Sequence, residues 1–266
     1  MHIPVFHVDA FTDRVFRGNP AAVCFLDFWL DDALLGKVAR ENNLPATAFL
    51  VPSVTGYALR WFSPVCELKL CGHATLAAAF VLFHFVSPQL DEVVFSTRFR
   101  GDLRVQKGGD LLAMEFPALA ATSCAPTPEL LFAVAPSVTT GDILQTFAGN
   151  QTYVVLLATQ AQVQGFQPDI ARLETLHPEV VVITAPGDEV DFVSRYFAPG
   201  YGLPEDWVTG SSHCCLGNFW SKRLGKSELV AYQASARGGV VKVRVANDRA
   251  FLGGRAVIVT KGELVG

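Results

Sequence analysis

The chain has 266 residues, half of them hydrophobic and 17% charged, with a formal net charge of −4. That is enough apolar chain for one large domain or two smaller ones. No run of Lys or Arg breaks the acidic balance, which argues against a nucleic-acid partner or a polybasic membrane footprint.

The N-terminal "MHIPVFHVDAF" lacks the basic and apolar regions of a signal peptide, and its alternation predicts a strand. "GNPAAVCFL" adds a Gly-Asn-Pro turn feeding a second strand. Residues 31–43, "DDALLGKVARENN", carry acidic residues first and apolar positions at helical spacing, which predicts a helix. "TAFLVP" and "YALRWFSP" read as strands, and residues 72–85 as a buried, Ala-rich helix. The apolar run there, "ATLAAAFVLFHFV", is about 13 residues, short of the roughly 20 that span a bilayer. Strands are expected through "EVVFSTRFRGDLRVQKGGDLLAMEFP", broken at Gly101 and at Gly108-Gly109, and "ALAATSCAPTP" reads as a crossing between lobes. "PELLFAVA" and "GDILQTFAG" read as helical, "TYVVLLA", "VVVITAP" and "DFVSRYFAP" as strands, and residues 210–224 as a second central helix. Six cysteines, with Cys214 and Cys215 adjacent, do not form a secreted disulfide framework. A cytoplasmic protein with reduced thiols is expected.

The halves echo each other. "RWFSP" at residues 60–64 resembles "RYFAP" at 195–199, and each leads to an acidic residue, a glycine with a polar neighbour, and an apolar helix. The pattern predicts two duplicated lobes, each a sheet around one central helix. The first lobe would span residues 1–120, with a strand from about 255–266 returning to it, and the second residues 121–254. If the lobes face each other, Gly72-His73 and Gly210-Ser211 put two helix N-termini into one cleft, a site for a carboxylate.

"DAFTDRVFRGNPAAVCFL", "ARENNLPATAFL", "RWFSPVCELKLCGHATLAAA" and "YFAPGYGLPEDWVTGSSH" resemble the PhzF family of phenazine-biosynthesis-like proteins, and most of all its eukaryotic type. "ARGG" and "GGRAVIV" extend the match over nearly the whole chain. The resemblance implies a diaminopimelate epimerase-like α/β (α+β) fold with two pseudo-symmetric lobes and mostly antiparallel sheets, usually in a homodimer. It also implies isomerase chemistry by proton transfer on a small anionic, carboxylate-bearing metabolite, with no metal or organic cofactor. Carried over by position, the family's active-site histidine falls on His73, its aspartate on Asp206 and its helix-start serine on Ser211, while Gly18, Asn19 and Pro20 match a turn bordering the substrate. The family's catalytic glutamate falls on Ala46, whose methyl group cannot carry a proton.

Other groups are weighed beside these. His73 could accept a proton or orient a carboxylate at its helix start, and Asp206 could cap backbone amides, orient substrate, or both. Gly72 and Gly210 would allow close backbone approach at the two helix starts. Cys71 resembles the thiol of related epimerases, but a two-thiol mechanism needs a partner where Trp207 or Val208 stands, so a buried inert cysteine is the default. His213 could reach the cleft, Glu41 reads as solvated, and Glu67 as structural. Zinc ligation by Cys71, His73, His213 and Cys214 has no supporting spacing, and "GKSEL" and "RGGVV" do not follow a phosphate-loop pattern. The sequence therefore points to a cofactor-independent isomerase, the rival being a catalytically silent metabolite-binding or interaction protein.

Overall fold

The computed structural model describes residues 2–54, 56–120, 122–135, 137–149 and 151–265. The chain divides into two compact units, Met1–Glu115 with Phe251–Gly266, and Phe116–Ala250. The first begins with β1 (His2–Ala10), β2 (Asn19–Phe25), α1 (Asp32–Asn42), β3 (Ala46–Ser53), β4 (Gly56–Phe62) and β5 (Glu67–Leu68). It continues with α2 (Gly72–Val81), β6 (Glu92–Thr97), β7 (Gly101–Gly108) and most of β8 (Leu111–Pro117). The second unit holds β9 (Thr122–Cys124), α3 (Pro128–Val134), β10 (Ile143–Gly149), β11 (Thr152–Leu157), α4 (Gln160–Gly165), α5 (Ile170–Glu174) and β12 (Val180–Pro186). It goes on through β13 (Phe192–Ala198), β14 (Leu203–Asp206), α6 (Gly210–Leu224), β15 (Glu228–Gln233) and β16 (Gly239–Ala246). β17 (Arg249–Gly254) carries the chain back to the first unit, where β18 (Ala256–Val265) runs antiparallel to β1.

The two units repeat one pairing scheme. In the first, β2–β3 and β4–β6 are parallel, while β1–β2, β3–β4, β4–β5 and β6–β7 are antiparallel. In the second, β11–β12 and β13–β15 are parallel, while β10–β11, β12–β13, β13–β14 and β15–β16 are antiparallel. Each unit thus has a mostly antiparallel sheet and one central helix. α2 packs on β1, β2 and β3, and α6 on β15 and β16. A helix enclosed in this way needs small apolar side chains. Ala74, Ala77, Ala78 and Ala79 of α2 are fully buried, and at Gly217 of α6 a Cβ would run into the Val243 side chain of β16.

The sequence echo has an atomic counterpart. Arg60 donates from Nε and Nη2 to the Glu67 carboxylate at 2.7 and 2.9 Å. Arg195 does the same to Glu205, also at 2.7 and 2.9 Å. Both guanidiniums lie 5.1 Å from a phenylalanine ring, Phe62 in one unit and Phe197 in the other.

One element differs from expectation. "GDILQTFAG" was expected to be helical, yet residues 143–149 form β10, paired antiparallel with β9 and β11. Ile143 and Thr146 are β-branched and Phe147 is buried, so these residues suit a two-sided strand. Only residues 140–142 wind helically, with Thr139 and Asp142 capping each other. The expected helix 72–85 is α-helical to Val81 and continues as a π-helical turn over Leu82–Val86. "ALAATSCAPTP" contributes the short strand β9. Among the described residues no helix is long and apolar enough to cross a membrane.

Candidate active site

Six α-helices are described, and four of them close their N-termini with a side chain. Asp31, Thr127, Thr159 and Asp169 each accept a backbone N–H from the first turn of α1, α3, α4 and α5. The two central helices do not. Cys71 precedes α2 and Thr209 precedes α6, and neither side chain caps the helix. Their first-turn amides, at the positive end of each dipole, thus take no acceptor from the side chain that precedes the helix.

In the first unit the parallel register of β2 and β3 sets Ala21 beside Ala46, while β1 sets Ala10 and Asp9 beside Asn19 and Pro20. Gly18, Asn19, Pro20 and Ala46 therefore gather at one end of the sheet. Gly18 has φ +65°, and a Cβ there would strike the Ala10 carbonyl oxygen, so the turn requires glycine. Asp9 is buried, and its Oδ2 accepts the Phe16 N–H at 2.6 Å, pinning the loop between β1 and β2. Ala46 is fully buried at the start of β3. At the start of α2, Cys71 Sγ lies 3.5 Å from His73 Nδ1, and the Thr75 hydroxyl donates to the Cys71 carbonyl at 2.7 Å. Burial pushes the His73 imidazole down to about 3, so it is neutral at pH 7.

In the second unit Asp206 ends β14 and is buried. Its Oδ2 accepts the Thr209 hydroxyl at 2.6 Å, just before α6. Gln233 completes the bracket. Its Nε2 donates to the Asp206 carbonyl at 2.8 Å, and its Oε1 accepts the Thr209 N–H at 2.8 Å. Gly210 is buried and Ser211 exposed on the first turn. His213, which the sequence left as a group that could reach the cleft, is fully enclosed. Its Nδ1 lies 2.7 Å from the Thr209 carbonyl and so donates, and its ring faces Phe192 at 5.9 Å. Burial lowers its pKa to about 4.

The remaining candidates fall away from proton chemistry. Glu41 is exposed on α1, and Glu67 is held by Arg60 and Arg98. Cys214 and Cys215 lie within α6, their thiols pushed up by burial to about 12 and about 11. Among the described residues no cluster of three or more His, Cys, Asp or Glu side chains could hold a metal. The sequence reading missed Gln233 and Ser235, which brace the residues before α6; Ser235 donates to the Trp207 carbonyl at 2.7 Å. Polar residues closing the apolar strand "LVAYQAS" are the one local signal that could have marked them.

The comparisons with known proteins bear on the fold and the family. Solved epimerase and racemase structures under 25% identical share the fold, which is diaminopimelate epimerase-like. The model of phenazine biosynthesis-like (PhzC-PhzF) proteins matches residues 8–262, and the chain belongs to this PhzF family. An uncharacterised isomerase of Pseudomonas aeruginosa is 44% identical over 264 residues, covering 99% of each chain. A human phenazine biosynthesis-like domain-containing protein is 35% identical over 299 residues, with 99% of each covered. The crystal structure of a PhzF-family protein from Enterococcus faecalis superposes with a TM-score of 0.93 at 40% identity, with 100% of both chains covered.

Proposed function

We propose that the protein is an isomerase of a small, carboxylate-bearing metabolite, working by acid/base proton transfer without metal or organic cofactor. The observation that carries this reading is the pair of central helices which, alone among the described α-helices, take no cap from the preceding side chain, each beside a buried acid/base residue. Backbone amides at Gly72-His73 in the first unit, and at Gly210-Ser211 in the second, are each suited to a carboxylate. His73 would take the proton leaving carbon and return it at the new position, the substrate's carboxylate countering the burial that otherwise lowers its basicity. Asp206, held by Thr209 and Gln233, would orient the substrate or share the proton. Relatives whose names denote isomerases support the reaction class.

A second reading is favoured by one residue. Ala46, at the position of the family's glutamate, presents only a buried methyl group. The same vocabulary would then bind a metabolite without turning it over. Proton exchange separates the two. The protein would be incubated in deuterated water with a panel of small unsaturated and amino-bearing carboxylates, alongside His73→Asn, Asp206→Asn and Ala46→Glu. The isomerase reading expects deuterium at carbon in the unmodified protein and a loss of about 10²-fold or more in His73→Asn. Exchange by Ala46→Glu alone would mark this chain as a silenced scaffold.

A further inference from the structure

α6 carries a second feature, near its C-terminal end. There the second unit holds a recess of about 360 Å³, away from Asp206 and the helix start. Phe147 of β10, Val154 of β11, and Leu216 and Phe219 of α6 line it with apolar surface, and Lys222 and Arg223 stand on its rim. The duplication explains why it is open. In the first unit the π-helical turn after α2 folds Phe85 against Phe6 and Phe80, with ring centroids 5.7 and 6.1 Å apart. Lys261 of β18, a strand of 10 residues, lies over the Phe6 and Phe85 rings. In the second unit α6 runs on regularly to Leu224, and β9, the strand beside β10, has only 3 residues. Among the described residues no counterpart of that turn follows α6, and Phe147 and Phe219 meet edge to face at 4.7 Å beside the recess.

From this geometry we infer that the recess is a binding site for a small, flat organic anion, an aromatic or apolar body bearing one carboxylate. The volume lies in the lower part of the range of about 300–1,000 Å³ usual for small-ligand sites, which pair apolar walls with a few polar groups. Charge selects the sign. Arg223 lies over the Phe219 ring at 5.9 Å, and among the described residues no carboxylate pairs with either Arg223 or Lys222. Asn218 is already committed, its amide donating to the Leu119 carbonyl at 3.1 Å, so the two cations set the recess's polarity. They also complement the α6 dipole, a role indifferent to any ligand. Comparing a charged with a neutral ligand separates the two roles. The inference is independent of the proposed isomerase site.

The test is calorimetric titration with 2-naphthoate and with its neutral amide. One naphthoate is expected per chain, bound at least about fivefold more tightly than the amide, with the difference shrinking as salt is raised. Lys222→Gln/Arg223→Gln should remove that difference while leaving the amide's affinity unchanged. Ala120→Trp, at an exposed rim position, should weaken both ligands about tenfold or more. His73→Asn should alter neither. Three results would overturn the inference: no naphthoate binding at millimolar concentration, binding lost in His73→Asn but kept in Ala120→Trp, or a change of oligomeric mass in Ala120→Trp. The last would give the recess to a second copy of the chain.

Discussion

Replacing each of the two duplicated arginines by methionine should cost unequal amounts, although the two ion pairs share one geometry. The side chains are similarly enclosed, 11% and 16% exposed for Arg60 and Glu67, and 10% and 17% for Arg195 and Glu205. Their surroundings differ. Arg195 Nη1 also donates to the Phe166 carbonyl at 2.6 Å, so Arg195→Met strands that carbonyl as well as Glu205. Removing one partner of a buried pair costs about 3–5 kcal/mol, and the slight exposure of Glu205 places the expected loss near 3 kcal/mol. In Arg60→Met, Glu67 keeps Arg98 at 3.0 Å, and the other partner lost, Asp32, is 61% exposed and worth little. About 1.5 kcal/mol is expected there. Urea unfolding followed by circular dichroism reads both, with a separate transition fitted for each unit where two resolve. Glu205→Gln and the double variant complete a cycle that isolates the pair. Equal losses, or a loss below about 1 kcal/mol for Arg195→Met, would refute the argument that the extra carbonyl and the missing second cation set the difference.

Acid should weaken the fold through His213. Its pKa falls from 6.5 in the unfolded chain to about 4 in the fold, so the folded state favours the neutral ring. That stability is complete above pH 6.5 and is lost as pH falls through about 4, roughly 3 kcal/mol over the window. Because buried His73 adds a slope of the same sign over this window, His213→Asn should roughly halve the slope of unfolding free energy against pH between 6.5 and 4; an unchanged slope would show that His213 does not titrate there. Gly217→Ala should destabilise by about 1–2 kcal/mol, overpacking against Val243 outweighing the gain in helix propensity. Val243→Ala should rescue it in part, which a thermal melt of the double variant checks. Gln233→Leu should lower turnover more than stability, because it releases the Thr209 N–H and the Asp206 carbonyl together. Equal losses of both would make the bracket merely structural.

Much of the architecture was legible because it rests on local pattern. Alternation gave β1 and β2, Asp31 and the helical spacing gave α1, and residues 210–224 emerged as α6. The Arg-aromatic-Phe echo reported the duplication because each arginine is bound to a glutamate at the next strand. The strand β10 was misread because its side chains satisfy helical and extended spacing equally, and its partners β9 and β11 decide the matter. At the candidate site, residue types at the helix starts could be read, but what holds them could not. Gln233 lies 27 positions beyond Asp206, and no local period announces so distant a hydrogen bond. The burial of His213 was hidden for the same reason, since it depends on Phe192 and on the fold-back of its ring to Thr209.

The two arginine clamps also bear on how such a chain can change. Arg60 and its glutamate are 7 positions apart, whereas Arg195 and its glutamate are 10 apart, yet both pairs close with the same distances. The extra residues of the second loop are taken up between the jaws, within "APGYGLP", without disturbing the strand end that delivers Asp206. A loop fastened at both ends by charge can lengthen, shorten or be rewritten while the chain still enters its central helix at a fixed point. Variation in these loops is thus uncoupled from the helix starts, and relatives can diverge there without rebuilding the chemistry that follows.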